Sequence, residues 1–214
     1  MALTKVLVTV KTYPAISSKY DELVCTAGFR EDGTWVRIYP VQFRRKSYEE
    51  QYKKYDWIEI DLVKNKRDFR PESFRPYSHD SEIKILEHID TKGNWVKRKK
   101  FVLGKIYFNL SELIAESQNK NICTSLAVFK PSKVLNFTIE EVEREWDKAK
   151  LAKLEAERLQ GNLFQQPENP FEVVRKLPYK FCYVFEDNHH YVSHNPFMII
   201  GTFHPKKETQ LSLF

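Results

Sequence analysis

Cysteine is scarce in this chain: Cys25, Cys123 and Cys182 are three in 214 residues, far apart and odd in number. No C-x-x-C pair occurs, so neither a disulfide framework nor a zinc knuckle is expected, and a reducing, cytoplasmic setting is the expectation. Long apolar runs are missing as well. The opening "MALTKVLVTV" is broken by Lys5, is too short to span a bilayer and has no small-residue cleavage site, so it reads as a strand rather than a signal segment. No membrane role is expected. The common catalytic signatures are absent too: there is no Walker A, G-x-G-x-x-G, G-x-S-x-G or H-E-x-x-H, which removes P-loop, dinucleotide, serine-hydrolase and metalloprotease readings. Neither a fixed-period repeat nor a low-complexity tract is present.

What the chain does have is apolar and aromatic content, 42% and 14%, ample for a packed core. It also carries a formal charge of +6 and a pI near 9.0. Lysine and arginine crowd the first hundred residues, whereas Glu140 to Glu157 leans acidic. A lopsided basic surface suits a polyanionic partner.

Strand signals dominate. Val6 to Val10 is β-branched and apolar, and "REDG" (Arg30 to Gly33) sets an Asp-Gly turn between "ELVCTAGF" and "TWVRIYP", which predicts a hairpin over Glu22 to Tyr39. "DWIEIDLV", "EIKILEHI" and "SLAVFKPSKVLNFTI" read as further strands, and "SYEEQYKKY" as a short helix. One long helix is expected, from Thr138, with Glu141 at capping-box spacing, to a stop near Gly161. "YKFCYVFED" and "PFMIIGTF" read as a returning strand pair joined by "NHHYVSHN". The organisation read from this is a β-rich basic domain over 1–137, a charged helix and connector over 138–166, a returning strand pair over 167–205 and a flexible tail over 206–214. The fold class is α+β: a bent antiparallel sheet or small β-barrel of the PUA-like or OB-like kind, with one long surface helix.

Five strand ends pair an aromatic or basic residue with proline: "KTYP", "RIYP", "FRP", "FKP" and "FHP". Proline is confined to strand ends, so these mark terminations, and they also raise the expectation that the ends converge into one aromatic and cationic surface. On that reading Lys11, Tyr13, Arg37 and Tyr39 touch bases or sugars. Arg44, Arg45 and Lys46, and Lys97, Arg98, Lys99 and Lys100 beside Trp95, neutralise phosphates. Lys64 to Arg70 is another basic run, interleaved with Phe69 and followed by Phe74.

The last five residues, Gln210, Leu211, Ser212, Leu213 and Phe214, resemble the peptide by which bacterial polymerases, mismatch-repair proteins and many mobile-element proteins hold the DNA sliding clamp. The resemblance implies that Leu213 and Phe214 are buried anchors, that the Gln210 amide fixes register, that Leu211 takes a shallower pocket and that Ser212 lies at the groove's lip. "QGNLF" (Gln160 to Phe164) is a looser echo that reads better as a helix C-cap. The stretch "VKTYPAISSKYDELVCTAGF" with "TWVRIYPVQFR" resembles a bacterial protein family that implies no activity.

The leading expectation is a DNA-associated accessory protein that binds the clamp through its tail and DNA or RNA through its barrel face. A metal-dependent nuclease of DNA repair or phage defence is the alternative from a different class. Its candidates are Glu59 and Asp61 on one strand face near Lys64, or His189, His190 and His194 with Glu186 or Asp187. A third is an interaction subunit that docks through the charged helix. No catalytic residue, metal or cofactor is assigned.

Overall fold

The computed structural model describes residues 2–17, 21–78, 80–161, 173–190 and 192–195. Its first half is a small closed barrel. The strands are β1 (Ala2–Lys11), β2 (Ala15–Ser17), β3 (Asp21–Phe29), β4 (Trp35–Val41), β5 (Asp56–Lys64), β6 (Ser73–Pro76) and β7 (Ile83–His88). Five of them close in the order β1, β3, β4, β6, β5 and back to β1, while β2 extends β3 and β7 extends β5. The architecture is the expected α+β small barrel, but it is mixed rather than antiparallel, because β4 and β6 run parallel, Arg37 beside Ser73 and Ile38 beside Phe74. The reason is the order of insertion. After β4 the chain crosses to pair β5 with β1, and β6 then fills the remaining gap with a direction already fixed by its hairpin with β5.

Alternation along the strands sorts the two faces. Val6, Val8, Val36, Ile38, Ile58 and Ile60 fill the interior with Phe43 and Tyr52. On the outside, Leu7, Phe29 and Trp57 form a second apolar patch, covered by Phe101 and Val102 of α1 (Lys92–Val102). This helix was not foreseen. Its first residues, Gly93, Asn94 and Trp95, are left-handed at φ of 63°, 57° and 64°, and its surface is too basic for an apolar stripe to show in the sequence. β1 and β3 approach so closely at Gly28 that a Cβ there would lie 1.9 Å from the Leu7 carbonyl oxygen. The expected hairpin is present as β3 and β4: Gly33 adopts φ of 80°, and the Asp32 carboxylate accepts from the Thr34 backbone N–H at 2.9 Å and from its hydroxyl at 2.6 Å. Where a short helix is expected at "SYEEQYKKY", the chain makes a single 3-10 turn, Tyr48–Glu50, and another, Phe43–Arg45, lies just ahead of it.

The second half holds β8 (Ile106–Tyr107), α2 (Leu110–Gln118), β9 (Val128–Phe129), β10 (Lys133–Glu141), α3 (Lys148–Gly161), β11 (Tyr179–Glu186) and β12 (Val192–Asn195). β10, β11 and β12 form an antiparallel sheet, and β8 pairs in parallel with β9. The long helix expected from Thr138 is corrected here. Thr138 lies within β10, opposite Cys182, and the helix begins only at Lys148. "NFTIEE" has one aromatic and two β-branched residues in succession, and cross-strand packing of Phe137 on Tyr183, rings 4.9 Å apart, overrides the capping-box spacing. The Asn109 side chain caps α2 through the Ser111 and Glu112 amides, and the buried Asp187 carboxylate accepts from the Leu110 amide at 2.9 Å, which ties the β11–β12 turn to that helix. Of the expected strand pair, β11 is present, and β12 pairs with it from within "NHHYVSHN", the segment expected to join the pair; "PFMIIGTF" and the tail lie outside the described residues, as does most of "QGNLF". Among the described residues no helix is long and apolar enough to cross a membrane.

Candidate nucleic-acid interface

Three of the proline-marked strands finish at the same end of the barrel. β1 and β4 flank β3 and both run antiparallel to it, so they point the same way, and β6 runs parallel to β4. "KTYP", "RIYP" and "FRP" therefore all point toward one end of the barrel. β1 and β6 stop as proline requires, at Lys11 and Pro76, but β4 passes through Pro40 to Val41 across a cis Tyr39–Pro40 bond. The antiparallel pairing of β1 with β5 brings the start of β5, with Lys53 and Lys54 ahead of it, to this rim as well. Aromatic side chains stand out from it: Tyr13 is 49% exposed, Tyr39 43%, Tyr77 50% and Tyr48 83%. Tyr39 and Arg75 leave the parallel pair side by side, one step beyond Ile38 and Phe74 and on the outer face.

The expected contact residues divide by what already holds them. Lys11 is half-buried, its ammonium 3.9 Å from the Phe43 ring centroid and donating to the Tyr52 carbonyl at 3.2 Å. Burial, reinforced by the neighbouring Lys54 charge, lowers its pKa. Tyr13 donates its hydroxyl to the Arg175 carbonyl at 2.9 Å but keeps an exposed ring face. Arg37 is bound to Ser125, and Arg44 to the buried Glu22 carboxylate at 2.7 Å. Burial raises the pKa of Glu22, and the Arg44 guanidinium opposes that shift. Lys46 donates to the Ser81 carbonyl at 2.7 Å and pairs with Glu50 at 3.4 Å. Arg45 and Lys46 line an open cleft of about 620 Å³ whose other walls include Glu49, Glu50, Asp80 and Glu82, a mixed lining that does not favour a polyanion.

The α1 cluster splits in the same way. Trp95 is half-buried against Tyr55, and Arg98 is only 8% exposed. The Arg98 guanidinium lies 3.9 Å from the Tyr55 ring centroid, donates from Nε to the Ile89 carbonyl at 2.8 Å and from Nη2 to His88 Nε2 at 3.2 Å. A guanidinium only donates, so His88 Nε2 accepts and its Nδ1–H donates to the buried Asp56 carboxylate at 2.6 Å. This aspartate–histidine pair resembles a catalytic dyad, yet Arg98 occupies the nitrogen that would serve as base. Arg98 and Trp95 thus belong to the fold, whereas Lys97 and Lys100 remain exposed.

The β5–β6 loop, at the opposite end of the barrel, is the most tightly braced basic segment. Asp68 is its hub: the carboxylate takes Arg70 Nε at 2.8 Å, Arg70 Nη2 at 2.6 Å and the Ser73 hydroxyl at 2.6 Å. The Arg70 guanidinium holds the Asp68 carboxyl well below the usual aspartate range. Lys64 Nζ closes the loop on the Arg70 and Pro71 carbonyls at 2.7 and 2.6 Å. Phe69, between the two hub residues, is 83% exposed, next to exposed Lys66 and Arg67.

The nuclease candidates find little support. Pairing sets Glu59 between Lys5 and Lys84 on adjacent strands, a charge-balanced outer face. The Asp187 carboxylate serves backbone amides, of Leu110 and of His189, and His190 Nδ1 bonds Glu186. Among the described residues no group of three or more His, Cys, Asp and Glu side chains is placed to hold a metal ion.

Sequence reasoning missed Glu72 and Ser125, which no local pattern marks because they meet only across the fold. Tyr77 was one residue past the "FRP" it could have been read with.

A family model described as Domain of unknown function (DUF8758) matches residues 2–104, the barrel with α1. A second, Domain of unknown function (DUF8757), matches residues 108–194. The division falls between α1 and α2. No curated protein and no solved structure matches the chain.

Proposed function

We propose that this protein is a nucleic-acid-binding accessory module of DNA replication or repair, which binds DNA or RNA at the barrel rim and the bacterial sliding clamp through Gln210 to Phe214. The observation that supports the first part is the common direction of β1, β4 and β6, which turns the ends carrying the exposed rings of Tyr13, Tyr39 and Tyr77, and Arg75, toward the end of the barrel where Lys53 precedes β5. Rings beside cations that hold no carboxylate give stacking surfaces for bases and charge for phosphates. The second part rests on the five terminal residues themselves.

Fluorescence anisotropy with labelled single-stranded DNA, duplex DNA and RNA tests the first part. Micromolar or tighter binding that Tyr39→Ala with Arg75→Ala weakens at least tenfold supports it; no binding to any of the three defeats it. Calorimetry against purified clamp tests the second, with Leu213→Ala and Phe214→Ala together expected to abolish a micromolar interaction.

A further inference from the structure

We infer that Phe69 is a preformed stacking element for an unpaired nucleobase. The inference rests on the nucleic-acid reading above and names its substrate: single-stranded DNA or RNA rather than intact duplex. An exposed phenylalanine on a slack loop would fold back onto the nearest apolar surface, because exposure of that much apolar area is unfavourable. Here it cannot. The residues on either side are locked to each other by the paired Asp68–Arg70 contacts, and Ser73 and Lys64 fasten the loop from below. The Asn65 side chain also accepts from the Arg67 amide at 3.2 Å, and the Asp68 amide donates to the Asn65 carbonyl at 3.1 Å.

The loop therefore presents one ring outward at little further ordering cost, the condition under which an aromatic contact contributes most to binding. Lys66 and Arg67 set the sign of the partner, since neither has a carboxylate partner among the described residues and both are exposed on the same loop, three and two residues before Phe69. An exposed ring on a loop that also carries two exposed cations fits a base with its adjoining phosphates. In a duplex the base faces are already stacked, so only an unpaired base is available to Phe69.

The test uses the full chain and three oligonucleotides: single-stranded DNA carrying one 2-aminopurine, the same sequence as RNA, and the DNA duplex. Phe69→Ala is expected to weaken single-strand binding by roughly 5- to 150-fold, the range for loss of one base–aromatic stack, with duplex binding changed less than about twofold. The 2-aminopurine fluorescence should be quenched by the wild type and by Phe69→Trp, and not by Phe69→Ala. The DNA and RNA arms identify which strand is preferred. Single-strand binding and quenching that Phe69→Ala leaves intact overturn this inference alone. Failure of the wild type to bind any of the three overturns it together with the function proposed above.

Discussion

Arg37 reaches 88 residues along the chain to Ser125, donating from Nη2 to its hydroxyl at 2.9 Å and to its carbonyl at 3.3 Å. The Ser125 hydroxyl in turn donates to the carboxylate of Glu72, a residue 8% exposed. A side chain of β4 and the residue before β6 are thereby joined to the segment ahead of β9, and so the two domain-sized halves are joined to each other. Ser125→Ala takes from a buried carboxylate its only side-chain donor among the described residues, and the expected loss is about 1–3 kcal/mol. Urea unfolding checks this; a change under about 0.5 kcal/mol would class the contact with ordinary surface polar groups.

Gly28 has no room for a side chain, since a Cβ would meet the Leu7 carbonyl oxygen at 1.9 Å, which is backbone and cannot rotate away. Gly28→Ala must separate β1 from β3 at the closest point of the barrel seam. The expected cost is at least about 3 kcal/mol, at the upper end for overpacking, or loss of the folded state. Circular dichroism melts against the wild type give the result, and Gly33→Ala, at a turn with open space around it, supplies the comparison for a purely backbone effect.

Much of the barrel could be read in advance because its signals are local. Val6 to Val10 and "DWIEIDLV" declare strands by their β-branched content, and Asp32-Gly33 declares a hairpin. α1 could not be read this way, because a left-handed entry at Gly93 to Trp95 and a lysine-rich surface carry no helical periodicity. The helix expected at Thr138 failed for the opposite reason: a good local cap signal lost to cross-strand aromatic packing that only the partner strand β11 supplies. The rim was legible as a list of proline-marked ends, but the list did not say which cations were already engaged. Arg98 and Arg44 read as phosphate ligands and Arg37 as a base or sugar contact in a basic sequence, and each has a partner inside the fold.

Acid should remove the stabilising contribution of the β5–β6 loop only at the low end of the pH range, because Asp68 keeps its charge below the usual aspartate range. The folded-state pKa of Asp68 is depressed below its unfolded value, first by the Arg70 bonds and then, against the opposing effect of burial, by the Ser73 hydroxyl. A depressed carboxylate contributes stability in full above its unfolded pKa of about 4, and that contribution is lost as the pH falls from there through the folded value. The wild type is therefore expected to lose stability between about pH 4 and the acid limit more steeply than Asp68→Asn, which lacks the titrating group. At pH 7 Asp68→Asn should already be less stable, by about 1–2 kcal/mol given the partial exposure of the pair. Chemical denaturation of both proteins across pH 2 to 7, in matched ionic strength, reads both effects.

Salt provides the sharpest measure of which cations meet the nucleic acid. Lys53 and Arg75 at the rim and Lys66 and Arg67 on the β5–β6 loop have no carboxylate partner among the described residues, so all four can release counterions from phosphates. Four such contacts on a single strand correspond to a slope of about −3 in log affinity against log salt. Replacing Lys66 and Arg67 with alanine should bring the slope to about −1.4, and replacing Lys53 and Arg75 should do the same from the other end of the barrel. Arg98→Ala, by contrast, removes a guanidinium enclosed by Tyr55, Ile89 and His88, so it should lower stability while leaving the slope unchanged. A slope near zero for the wild type, measured by anisotropy between 50 and 300 mM salt, would mean that the strand is held without phosphate contacts and that these four cations serve only solubility.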